Sequence, residues 1–197
     1  MPTSASRRKI PNPNPAAGSS KKKVNRKFSF PGPQLLILTG SCVFVFVLAL
    51  SAYLEPDIRR LHFFQAWMYV AAVGLSFRRS RWGYFIGLSA AGLWDYLNVF
   101  VTTFFRSGLH WLSVSIGSGR FERVDQIVAV PGWLGNLLVV IGCIWGYVQL
   151  REKGPGDLAR FAIACSLTTG FFAAIMAICQ PRYLPLFGRL LHPHAPW

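Results

Sequence analysis

Charge is scarce in this chain, and acid is scarcer still. Of 197 residues only 14% are Asp, Glu, Lys or Arg, and only 7 are acidic. A soluble domain carries about a quarter charged residues, and here the few charges fall in short patches separated by long uncharged stretches. Catalytic signatures are lacking too. There is no phosphate-binding Walker loop, no G-x-S-x-G, no H-E-x-x-H and no paired carboxylates, so the common nucleotide, serine-hydrolase and zinc-hydrolase chemistries have no foothold. No repeat marks an inverted-repeat transporter. The cysteines, Cys42, Cys143, Cys165 and Cys179, lie in apolar stretches without metal-ligand spacing. They read as small buried hydrophobes, with neither a disulfide framework nor a zinc site.

What the chain has is hydrophobic length: 52% of its residues are hydrophobic. Apolar runs cover residues 35–54, 61–77, 84–105, 127–150 and 161–180, joined by short charged segments. A helix rises about 1.5 Å per residue, so roughly 20 residues cross a bilayer core of about 30 Å. The expected fold is therefore an all-α integral membrane protein, a bundle of about five transmembrane helices over residues 35–180. The run 61–77 is short and contains His62 and Gln65. If it is interfacial or re-entrant, four spans remain. Short joints require antiparallel neighbours. Trp67, Trp82, Trp111, Trp133, Tyr53, Tyr84 and Tyr147 lie mostly near run ends, as an aromatic belt would place them.

Residues 1–34 contain Pro11, Pro13 and Pro15, several basic residues and no acid, a composition expected to stay disordered. Within them Lys21, Lys22, Lys23, Arg26 and Lys27 form a cluster suited to anionic lipid headgroups. No aromatic residue interleaves the lysines, which disfavours nucleic acid as a partner. With this tail in the cytoplasm every lysine falls on the cytoplasmic side, and five spans put the C-terminal segment, 181–197, outside. Without the tail, basic residues are nearly balanced across the two sides. A plasma or bacterial inner membrane is the expected location. Ala49-Leu50-Ser51 has the small residues of a signal cleavage site, but the basic region and apolar run are too long, so a retained signal-anchor helix is expected.

Asp95 is the only charged-type residue, acid or base, deep within a run. A charged Asp at mid-bilayer costs about 2.5–3.5 kcal/mol on insertion scales. Asn98 and Thr102 share its helical face, together with Tyr84 and Ala91, and Asn136 is expected near its depth; Thr168 and Thr169 approach from the other leaflet. Asp95, Asn98, Thr102 and Asn136 are thus the candidate intramembrane polar site, read either as hydrogen-bonding glue between helices or as a proton or cation site. Gly83, Gly87 and Ala91 on one run, and Gly142 and Gly146 on another, are small-residue series for close helix packing. Pro131-Gly132 predicts a kink or late helix start. Residues 112–117 alternate apolar and small polar residues, which predicts an extended stretch within a surface loop, 106–125. Gly117-Ser118-Gly119-Arg120 reads as a flexible turn. The histidines His62, His110, His192 and His194 are weak metal or haem candidates. No cofactor is expected.

Three roles are compatible with this reading. The first is a non-enzymatic accessory or scaffold subunit of a membrane complex with a membrane protein partner, supported by the lack of catalytic motifs, the glycine-lined helix faces and the modest size. The second is a small proton- or cation-coupled transporter or channel centred on Asp95. The third is a redox or metal-binding subunit using the histidines.

Overall fold

The computed structural model describes residues 32–151 and 153–190. The basic cluster at residues 21–27, His192 and His194 lie outside this range. Among the described residues every regular element is helical. Helix α1 spans Gly32–Leu54, α2 Arg59–Phe77, α3 Arg81–Tyr96, α4 Phe104–Ser118, α5 Val124–Ile127, α6 Ala129–Val148, α7 Asp157–Cys179 and α8 Pro185–Gly188. Helix α1 starts inside the expected tail because Pro33 sits in its first turn, where no intrahelical N–H is required.

Three segments are long and apolar enough to cross a membrane: Gly32–Leu54, Val124–Val148 and Asp157–Cys179. A fourth is reached if the bent pair α3–α4 counts as one span. Outward faces are as apolar as inward ones: Phe46 is 67% exposed, Leu167 62% and Ile178 80%. Polar side chains instead collect inside, where Gln34, Gln65, Ser76, Asn136 and Thr168 are all buried. Helices apolar all round with polar residues turned inward suit hydrocarbon as the surrounding solvent.

Helix α1 packs on α6 and α2, α3 packs on α2, α6 and α7, and α4 lies against α5 and α6. The central core joins Ile37, Phe44 and Leu48 of α1 to Tyr69 of α2, Tyr84 and Ala91 of α3, and Val139 and Cys143 of α6. A second cluster packs Leu61 and Ala90 against Phe172, Ile175 and Met176 of α7. Glycines set the approach distances. A methyl group on Gly142 would fall 2.9 Å from the Pro33 carbonyl oxygen, and one on Gly87 would fall 2.7 Å from Cys143 Sγ. Gly146 accommodates the Tyr84 ring, and Gly83 lies against the backbone of Leu75 and Ser76. Tyr84 is therefore a core residue at 1% exposure, not a member of the expected aromatic belt.

Two sequence expectations fail in the same region. The run 84–105 is not one helix. It passes into a π-turn over Leu97–Val101, closed by Thr102 N–H donating to the Leu97 carbonyl at 2.8 Å, and the chain then bends by 73° into α4. Thr102 is extended at this joint, and its hydroxyl both donates to the Asn98 carbonyl and accepts from Phe104 N–H, each at 3.4 Å. Such side-chain bonds compete with a continuing helix. Residues 112–117 are helical, not extended. The inward face of α4 is set by Phe105, Gly108, Leu112 and Ser115, which recur at helical spacing and outweigh the short alternation. Gly119 caps α4 at φ +68, a left-handed position that favours glycine. Ahead of Pro131 a break at Val128 separates α5 from α6, which starts at Ala129 with Pro131 in its first turn.

Candidate functional site

One face of α2 carries His62, Gln65, Tyr69 and Ser76 at spacings that stack them along the helix. Gln65 and Ser76 are fully buried and Tyr69 is 1% exposed. Gln65 Oε1 lies 2.7 Å from His62 Nδ1, and the Tyr69 hydroxyl donates to Asn136 Oδ1 at 2.8 Å. Asn136 is itself fully buried and is held in place by Gly135, whose missing side chain lets α6 sit on α1. Asp95 of α3 completes the group. The Asn136 amide is close enough to act on its carboxyl, yet Asp95 Oδ1 and Asn136 Nδ2 do not meet in hydrogen-bonding geometry.

The cluster is under-satisfied. Asp95 Oδ1, Asn136 Nδ2, Trp94 Nε1, Gln65 Nε2 and Thr168 Oγ1 are buried without a protein hydrogen-bond partner. Native interiors contain few such atoms, and each calls for a physical reason. The surroundings are aromatic: the Phe44 ring lies 4.5 Å from Tyr69 and 6.2 Å from Trp94, and Trp94 lies 6.3 Å from Phe172. In such a medium an unpaired carboxylate is costly, and any polar species that reaches it is held strongly.

A cleft of about 130 Å³ opens beside this group, where α1 meets the α3–α4 bend and the start of α6. Phe44 and Trp94 form part of its wall, with Asn98 and Thr102 alongside. Its titratable lining residues are Glu55, His62, Asp125 and Tyr183, with no Lys or Arg. Asp125 is engaged by Arg123 at 3.1 Å on the exposed surface, and Arg123 is held in its charged form by that carboxylate. With Asp125 paired, Glu55 is the other carboxylate in the lining.

Of the sequence-derived candidates, the structure places Asp95 and Asn136 together, and puts Asn98 and Thr102 in the adjoining cleft. Of the threonines named with them, Thr168 is buried, at 1% exposure. Tyr69, Gln65 and Trp94 were missed as members. The signal for Gln65 and Tyr69 was present in the polar stripe along the second run, beginning with His62 and Gln65. His110 is exposed and stacks edge-on against Trp111 at 5.6 Å. Among the described residues no three His, Cys, Asp or Glu side chains converge as a metal site.

The fold and site together define a helical bundle of membrane-spanning composition with a half-buried acid, one of whose oxygens is buried without a protein partner. Compared with known protein families, curated proteins and solved structures, the chain finds no match.

Proposed function

We propose that this chain is a five-span membrane protein that takes up a proton or small cation at Asp95 from the adjoining acidic cleft. The observation that carries the reading is the buried Asp95 Oδ1, unpartnered beside Asn136 Nδ2 in an aromatic enclosure. A purely structural acid is expected to have its oxygens hydrogen-bonded; one that binds and releases a species keeps acceptor capacity in reserve. Tyr69 orients Asn136, and Asn136 in turn faces the acid. Glu55 in the cleft lining attracts cations, and Phe44 and Trp94 form part of the same lining.

In this reading α2 is the fifth span, its buried polar stripe being tolerated because it faces protein. The amphipathic α4 turns away at the bend to lie along the membrane surface. The basic tail sets the cytoplasmic side, and the Asp95 cleft faces outward. The accessory-subunit alternative drew on glycine-lined faces. Gly83, Gly87, Gly135, Gly142 and Gly146 are filled by the chain's own helices, so these glycines do not point to a second protein.

Proteoliposomes carrying the full chain test the proposal. Under an imposed proton, sodium or potassium gradient, the wild type should dissipate at least one gradient about ten-fold faster than a folded Asp95→Asn variant. Equal rates across all three ions would end the transport reading. Recovery of a stoichiometric partner on gentle detergent extraction would then favour the accessory role.

A further inference from the structure

At the other end of the bundle, the start of α1, the α2–α3 turn and the end of α6 enclose a cleft of about 350 Å³. Its lining includes Arg79, Arg81 and Arg151, together with Gln34, Tyr84 and Gln149, and contains no acidic residue. Arg81 bonds Asp157 Oδ1 at 2.9 Å, and Arg160 bonds the same oxygen at 2.7 Å. Arg79 and Arg151 are exposed, and among the described residues neither forms an ion pair with a carboxylate.

The floor of the cleft is uncharged and polar. Gln34 is only 4% exposed. Its Nε2 donates to the Tyr84 hydroxyl at 2.9 Å, which leaves the Tyr84 proton for another acceptor. Gln34 Oε1 is buried without a protein partner. The site therefore presents fixed cations at its walls, with an O–H donor and a carbonyl acceptor beneath them. The backbone adds a third observation. Arg79 has φ +52, and its N–H donates to the Ser76 carbonyl at 2.8 Å while Ser80 N–H donates to Leu75 at 3.1 Å. This is a helix-ending turn that glycine normally occupies. Arginine stands there despite the steric penalty, and its side chain lines the cleft.

We propose that this cleft binds a phosphate-bearing anion that also offers a hydroxyl. Arg79, Arg81 and Arg151 hold its charged oxygens, Tyr84 donates to one of them, and Gln34 Oε1 accepts from the hydroxyl. The site shares no residue with the Asp95 cluster, so it stands independently of the transport reading. The same chemistry is offered by the headgroup of phosphatidylglycerol and by a soluble ion such as inorganic phosphate or glycerol phosphate.

The test uses the full chain in nanodiscs and reads thermal stability against added probe. Soluble phosphate and glycerol phosphate are titrated in phosphatidylcholine discs; in parallel, phosphatidylglycerol replaces phosphatidylcholine stepwise. Saturable stabilisation of the wild type is expected. A response to the soluble ions identifies a free phosphate compound, and a response to phosphatidylglycerol alone identifies a lipid headgroup. The double variant Arg79→Gly, Arg151→Gln should need at least about ten-fold more of the effective probe. Glycine suits the left-handed turn, so this variant keeps the fold. Tyr84→Phe preserves the ring against Gly146 and should weaken binding several-fold. The proposal is overturned if the wild type responds to no probe, or if either variant responds as the wild type does. It is also overturned if neutralising Lys21, Lys22, Lys23, Arg26 and Lys27 alone removes the response.

Discussion

Gly40 of α1 and Gly135 of α6 meet backbone against backbone: a methyl group on Gly135 would fall 2.9 Å from the Gly40 carbonyl oxygen and 3.1 Å from the Phe44 nitrogen. Neither obstacle is a flexible side chain, so the helices must separate to admit anything larger. Gly135→Leu should cost about 3 kcal/mol or more, at the severe end of overpacking. Gly74 has nothing within 4 Å, and Gly74→Leu should change stability by less than about 0.5 kcal/mol. Thermal unfolding in one detergent measures both; equal losses would contradict the close α1–α6 contact.

Asp95 supports a prediction opposite to that for ordinary buried polar residues. If its carboxylate is reserved for a transported species, Asp95→Asn removes a poorly compensated group and should stabilise the folded protein by about 1 kcal/mol. If the acid were glue between α3 and α6, the same variant would melt earlier than wild type.

Asp157 illustrates the paired case. Its carboxylate accepts from Arg81, Arg160, the Tyr147 hydroxyl at 3.1 Å and Gly154 N–H at 3.1 Å. It thereby joins the start of α7 to α3 and α6. Asp157→Ala should lower the melting temperature clearly more than Asp125→Ala, whose exposed pair with Arg123 contributes little. A similar loss for both variants would show that the Asp157 network does not hold α7.

The bend between α3 and α4 can be measured directly. With a rise of about 1.5 Å per residue, an unbroken helix would separate positions 82 and 116 by about 50 Å. The 73° bend shortens this to about 40 Å. Spin labels at Trp82 and Ile116, both exposed, should report the shorter distance by pulsed electron resonance.

Orientation is open to chemical labelling. In a background lacking Cys42, Cys143, Cys165 and Cys179, a membrane-impermeant thiol reagent applied outside intact cells should modify Ser118→Cys and spare Ser80→Cys. The reverse pattern would invert the proposed topology.

Much of this architecture could be read from the residues, because helix length and apolar composition are local properties. The positions of α1, α6 and α7 follow from uninterrupted runs, and the nearness of Asn136 to Asp95 follows from counting residues to a common depth. The bend was hidden for a physical reason. The π-turn is closed by a backbone bond between Thr102 and Leu97, and the apolar side chains continue straight through it. Helix α4 was misread because the alternation at residues 112–117 sits on a longer helical pattern that becomes visible only when Phe105 and Gly108 are included. Tyr84 was read as interfacial because it begins a run. Its burial depends on Gly146, a residue far along the chain, and no local pattern records that fit.

The seam between α1 and α6 also imposes an order of events. In the proposed topology α1 enters the bilayer before α6, and the surface complementary to its glycine side emerges only after α2 through α5 have been synthesised. During that interval the Gly40 backbone faces lipid or a helper that shields it. A substitution at Gly135 would therefore act late, leaving an early helix inserted but without its partner.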